Sequence, residues 1–472
     1  MIKALIVNKF PLLWIVFHLV LGISATFSPI PMIVWFYLVI FSSIGLLLKK
    51  TANPVILLAT ILYLISFELL ARMARTFPFI PYELGKYLLF VGMIWGIIRH
   101  KTYGKEGWIM LLCLIPSVFL DESGLVSNVD LIFNILGPIN VALAVIVFYK
   151  QQITPRQFAT LIRLMLYPII GVLSFTVIKS PSFDQVEFAL GANVDWSGGF
   201  GSNQVSTLFG LGALLIFVMM INRWTFSGYL LLDGFLLFAL SFQGLLTFSR
   251  GGMLGAVVGI FVILLYLRTA PYKAKIKFRL PKVGKYVLPA IFIAFSAFYV
   301  VNELTDGLLT LRYQGETAGT LQGSKVKSLN TVTTGRFDIF LGDVDLWADY
   351  FFTGVGAGAS RFLRETMTGT VAHVELSRLL AEHGLFGLIY FLMLCILGWK
   401  IMKDHPNPMH RGILVAFFVV AIYTTFHAAM RTFVSPALIG LSLLAIRTPK
   451  KNSNIPVAKK KDDSNKVLVP IK

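Results

Sequence analysis

The sequence predicts an all-α polytopic membrane protein: a transmembrane helical bundle of about 12–14 spans with one large loop that contains amphipathic helices. Three observations predict it. Of 472 residues, 56% are hydrophobic and 14% charged, and the mean hydropathy is +0.77. A soluble globular chain carries about 45–50% apolar and ~25% charged residues. Apolar runs of about 16–22 residues, each long enough for roughly 30 Å of hydrocarbon, recur along the chain. Most of the 42 lysines and arginines collect in alternate connectors between those runs.

The runs fall near 11–27, 30–48, 54–71, 83–98, 107–120, 131–149 and 157–178, then 203–221, 225–247, 250–268, 285–304, 386–402, 411–428 and 432–447. An even number puts both termini on one side. The start, with Lys3 and Lys9 before an apolar run, lacks an A-x-A cleavage pattern and reads as a retained helical hairpin. Cys113 and Cys395 both sit inside apolar runs, which argues against a disulfide framework or a thiolate metal site. The net charge of +19 does not indicate nucleic acid, because the basic residues lie where membrane topology needs them. Lys49-Lys50, the 99–105 connector, Lys150, Arg156, the 268–285 connector (Arg268, Lys273, Lys275, Lys277, Arg279, Lys282, Lys285) and the tail from Arg447 define the cytoplasmic side. The expected organisation is helices 1–11 over residues 1–304, a periplasmic catalytic loop over 305–385, C-terminal helices over 386–447, and a basic, disordered, lipid-attracted cytoplasmic tail over 448–472.

This topology makes Arg72, Arg75, Lys86, Lys179, Arg250 and Arg431 anomalous, since they fall at the opposite ends of spans. A phosphate-bearing headgroup suits guanidinium, whereas for each of the first four taken singly plain snorkelling is the better reading. Arg250 follows Ser249, a plausible N-cap, at the start of a helix whose free N–H groups and positive dipole end form an anion site. Gly251, Gly255 and Gly259 form a small-residue packing stripe. A second helix start at 198–204 offers Ser202 or Asn203 as caps beside glycines that admit a close ligand, or form an ordinary turn. Among ionisable residues within the spans, Glu68 and Arg72 are spaced for an ion pair, Arg163 snorkels, and Asp233 has no obvious partner.

The loop opens with a polar, Gly/Thr/Ser-rich part, 305–333, expected to be mobile. Over 334–351, Phe337, Phe340, Leu341, Val344, Trp347 and Phe351 recur at helical spacing opposite Asp338, Asp345 and Asp349, as in a helix lying on a membrane surface. Asp343 and Asp345 form a D-x-D, but i and i+2 diverge on a helix, so two solvated acids are expected and no metal. Gly354-Val355-Gly356-Ala357-Gly358 reads as a turn, without the strand a nucleotide fingerprint needs. Glu375, Arg378 and Glu382 share a stripe expected to be exposed ion pairs. His373 stands off that stripe, where an imidazole is either structural or a base that titrates near neutral pH.

In combination, Ser249-Arg250-Gly251-Gly252, Thr334-Gly335-Arg336, Gly354-Val355-Gly356, His373 and Glu382-His383-Gly384-Leu385-Phe386-Gly387 resemble the O-antigen ligase and polymerase superfamily over roughly 195–402. The resemblance implies an inner-membrane glycosyltransferase without metal or other cofactor. It would move a glycan from an undecaprenyl-pyrophosphate carrier, on the periplasmic side, to a lipid A core or a growing chain. It implies His373, Arg250 and Arg336 as catalytic residues. Ser249, Arg72, Arg75, Arg431 and Asn203 join them as pyrophosphate-binding candidates, Arg431 by position alone. Val374 departs from the family's usual small polar residue after the histidine. A repeat-unit polymerase and, in another class, a lipid-linked oligosaccharide transporter are the alternatives; transporters favour internal repeats and broken helices, and no repeat is seen.

Overall fold

The computed structural model describes residues 1–49, 53–183, 188–280, 284–428, 430 and 432–447. Lys50, Lys282, Arg431 and the 448–472 tail lie outside the described residues. All fourteen apolar runs coincide with helices, and the protein is an all-α helical membrane protein. Among the described residues, nine helices are long and apolar enough to cross a membrane, and Pro11–Ala25 and Leu230–Leu246 are shorter apolar helices. The run at 432–447 departs most from expectation. It forms only Val434–Ser442, nine residues, or about 13 Å at 1.5 Å per residue, too short to span roughly 30 Å of hydrocarbon. Of the described residues just before it, Ala428, Met430, Thr432 and Phe433 lie outside any α-helix.

Local chemistry sets the helix starts. Asn53 and Asn407 accept from the N–H two residues on, at 2.9 and 3.0 Å, each ahead of a proline at the first helical position. Thr154 and Gln157 cap each other reciprocally ahead of Pro155. The small-residue stripe behaves as expected: a Cβ on Gly255 or Gly259 would meet Tyr423 or Val420 of the Pro408–His427 helix at 3.3 and 2.9 Å. The expected cap at 198–204 is corrected, because Gly201 occupies the N-cap position and neither Ser202 nor Asn203 caps the Ser202–Ile221 helix. That helix is central, with 94% of its span buried, whereas Gly284–Leu304 is peripheral at 17%.

The connectors gather in two sets. Gln151 Nε2 donates to Lys101 O (2.7 Å), Lys150 N to Leu443 O (2.9 Å), and a His405 ring nitrogen meets Ile446 O at 2.8 Å. A parallel pair, Gln152–Ile153 with Ala445–Ile446, closes this end. At the other end Glu122 N donates to Val355 O (3.1 Å) and Asn193 N to Thr247 O (2.8 Å). This is the alternation the basic residues predict, and it includes the short final helix.

The loop is more structured than its composition suggests, with short helices Leu308–Tyr313, Ala318–Leu321 and Leu329–Thr333 before Arg336–Asp349. In the last of these, Phe337 and Leu341 stay exposed and the docking face is Ile339, Asp343 and Leu346, because Asp343 accepts from Ser377 Oγ at 2.8 Å. Asp343 is therefore a buried acid, not a solvated one, while Asp345 is exposed.

Candidate active site

The Arg250–Thr269 helix starts where the loop folds back over it. Arg250 Nη1 donates to Arg312 O (3.0 Å) and Nη2 to Val332 O (2.6 Å). Arg312, buried in Leu308–Tyr313, donates from Nε to Phe248 O and from Nη1 to Leu190 O, both at 3.3 Å. Arg336 opens the next helix after left-handed Thr334 and Gly335, and its Nη1 donates to Thr333 O (3.2 Å) and Thr334 Oγ1 (3.1 Å). The hydrogen bonds of the three guanidiniums go to neutral oxygens, and Arg336 Nε is buried without a partner among the described residues. Among the described residues none of the three forms an ion pair.

They also lie within electrostatic reach of one another. Burial first, then the charges of Arg250 and Arg336, pulls Arg312 down to about 10; burial, then Arg250, lowers Arg336. All three remain cationic at neutral pH. Tyr313 and Tyr423 flank Arg250, and burial pushes the Tyr313 phenol up. His427 closes the floor: a Cβ on Gly251 would lie 2.5 Å from its Cδ2, its Nε2 is 3.2 Å from Thr207 Oγ1, and its carbonyl accepts from Asn203 Nδ2 at 2.9 Å.

Ser249 stands at the N-cap position but makes no side-chain cap bond, which corrects the expected N-cap. Its Oγ reaches Asn203 Oδ1 at 3.5 Å, and its carbonyl accepts from Ser206 Oγ at 2.6 Å. Sequence reading missed Arg312. The signal existed, since a basic residue in this connector runs against the topology as one at a span end does.

Arg72 sits differently. It pairs with Glu68, donates from Nε to Tyr82 O (2.7 Å) and from Nη1 to Gln204 Oε1 (3.0 Å), and lies 3.4 Å from Glu83, which binds Lys86 at 2.9 Å. The expected Glu68–Arg72 pair is present, within a neutral buried network beside a cavity of about 20 Å³. That room holds about one water. Arg75 is exposed on the turn after Glu68–Met73.

His373 precedes the Glu375–Asp404 helix, between buried Ala372 and Val374. The stripe expected to be exposed below it is buried, which corrects that reading. Arg378 pairs with Glu375, lies 3.5 Å from Glu382, and donates from Nη1 to Asn134 Oδ1 (2.6 Å) and from Nη2 to Asn134 O (3.0 Å). Glu382 accepts from Ser360 Oγ (2.9 Å), and Glu375 Oε2 from Met430 N (2.9 Å). Asp343 faces Arg364 at 3.6 Å, yet burial outweighs that charge and raises the Asp343 carboxyl to about 6.

Gly384 breaks the helix at φ 58°, ψ −132°. A Cβ there would lie 2.5 Å from Gly354 N, so only glycine lets the 354–358 turn dock. Val355 N and Gly356 N then donate to Ala381 O (2.9 Å) and Glu382 O (3.1 Å). Arg250 and Arg336 therefore share one cluster, with Ser249 and Asn203 behind it. His427 borders that cluster, and Met430 N donates to Glu375, two residues past His373. Arg72 joins only through Gln204, and Arg75 stands apart.

The fold and this geometry define a multi-pass helical membrane protein with an uncompensated cationic site at one end. Residues 235–392 match the family model described as O-antigen ligase, and the match supports the O-antigen ligase superfamily, whose members are membrane glycosyltransferase-like enzymes. The match spans Arg250, Arg312, Arg336 and His373, and leaves Arg72, Arg75, Asn203 and Arg431 outside it. No curated protein and no solved structure matches the chain.

Proposed function

We propose that this protein is an O-antigen ligase-like glycosyltransferase. It moves a glycan from an undecaprenyl-pyrophosphate carrier to a hydroxyl of a lipid A core, at the periplasmic face of a bacterial inner membrane, with both termini cytoplasmic. The observation that carries the reading is the cluster of Arg250, Arg312 and Arg336. Three cations with only neutral partners among the described residues are costly unless a polyanion completes them, and a pyrophosphate supplies that charge in bidentate geometry.

In this reading His373 takes the proton of the acceptor hydroxyl. The hydroxyl oxygen attacks the anomeric carbon, the bond to the pyrophosphate oxygen breaks with inversion, and the leaving electron pair settles on a pyrophosphate held by the arginines. The uncapped start of the Arg250–Thr269 helix adds its dipole to that anion. Glu375 and Arg378 fix the foot of the His373 helix against Met430.

The test is a deletion strain complemented with wild type or His373→Ala, read on a gel of surface polysaccharide. Bare core with chains stranded on the carrier, restored only by wild type, supports the ligase. Core bearing single repeats means the protein is a polymerase. Purified protein that converts no lipid-linked donor in detergent favours a transporter, and a fully active, correctly inserted His373→Ala protein refutes the assignment of His373.

A further inference from the structure

The Leu230–Leu246 and Gly284–Leu304 helices pack against each other, and both line a groove of about 450 Å³, within the size range of ordinary ligand sites at roughly 300–1,000 Å³. Leu230, Phe235, Phe238, Pro289 and Ile293 form its walls. Lys285 and Tyr286 stand at its mouth, and the Arg223 guanidinium lies 5.4 Å from the Tyr286 ring centroid. Lys285 therefore lines, and Arg223 flanks through Tyr286, an apolar channel whose lining contains no carboxylate. This mouth belongs to the end of the bundle that carries the 268–285 connector, remote from Arg250.

We propose that the groove holds an acyl chain of an anionic phospholipid whose headgroup rests on Lys285 and Arg223. Ala290, Ala297 and Val301 of Gly284–Leu304 are buried against the bundle, but the groove beside Pro289 and Ile293 is left open by protein side chains, and a hydrocarbon chain there restores the dispersion contacts a void forfeits. The paired cations select an anionic headgroup over a zwitterionic one. The lipid also has a mechanical consequence. Gly284–Leu304 runs on into Leu308–Tyr313, which carries Arg312, so the lipid braces the helix that delivers Arg312 to the site. The binding claim stands apart from the glycosyl-transfer reading; the bracing rests on it.

Full-length protein in mild detergent, titrated with phosphatidylglycerol or phosphatidylcholine of matched chains and followed by native mass spectrometry, tests the site without any transfer assay. The expected result is retention of phosphatidylglycerol on the order of ten-fold above phosphatidylcholine. Arg223→Gln/Lys285→Gln brings the two to parity, while Lys273→Gln/Lys277→Gln, on the same connector side, does not. Gly234→Leu narrows the groove, because a Cβ there already meets Ile293 Cδ1 at 3.1 Å, and lowers retention of both lipids while the melting profile stays unchanged. Equal retention of the two lipids by wild type overturns the proposal, as does equal loss in both glutamine pairs. Displacement of phosphatidylglycerol by equimolar undecaprenyl phosphate also overturns it, because the groove then belongs to the carrier.

Discussion

Two groups of buried basic residues lie at the same end of this bundle, and they differ in who supplies the opposite charge. Around Arg72, Glu68 and Glu83 answer Arg72 and Lys86; around Arg378, Glu375 and Glu382 more than answer the one guanidinium, with Asn134 taking further donors. Arg250, Arg312 and Arg336 have carbonyls and a hydroxyl as their partners. A neutralised network specifies structure, whereas an un-neutralised one asks for a ligand. Sequence alone puts Arg72 and Arg250 in one class, and their partners separate them.

That contrast is open to mutation. The largest expected effects are on turnover: His373→Ala costs about 10²–10⁴-fold in transfer rate, and Arg250→Ala or Arg336→Ala about 10²–10³-fold, each with an unchanged melting temperature. Arg378→Ala and Arg72→Ala do the reverse. Each strands buried carboxylates and costs about 3–5 kcal/mol of stability, seen as loss of folded protein in a detergent melt. Gly384→Ala follows at about 1–3 kcal/mol, with protease cleavage appearing in the 350–358 stretch as the turn undocks.

A subtler effect comes from Asp343. Its folded pKa lies above the ordinary value, at about 6, so the folded state binds the extra proton and stability falls as pH rises from about 4 to 6. Asp343→Asn flattens that slope in melts taken across this window. At the small end, Arg75→Ala changes stability by no more than about 0.5 kcal/mol and leaves transfer intact, and EDTA leaves transfer unchanged. A rate loss at Arg75 would blur the distinction between balanced and unbalanced arginines.

Much of the fold is legible because hydrocarbon thickness and composition constrain it strongly. All fourteen runs became helices, and the alternation of basic connectors matches the two ends. The run at 432–447 misleads because hydropathy does not register where a helix begins and ends, and the α-helix here covers only Val434–Ser442. Near the site, spacing made the Glu68–Arg72 pair readable and position marked Arg250 as anomalous, whereas Arg336 entered only through the family resemblance. The burial of Glu375, Arg378 and Glu382 was not, since Asn134, Ser360 and Met430 come from distant parts of the chain. Ser249 failed as a cap because capping depends on side-chain direction, which residue type does not fix.

The most direct measurement is the affinity of purified protein for undecaprenyl pyrophosphate, in wild type and in Arg250→Ala, Arg312→Ala and Arg336→Ala. If the cluster holds the pyrophosphate, each variant binds about 10–100-fold more weakly, the loss of a charge-assisted contact, with its melt unchanged. Wild-type affinity in all three variants would contradict it.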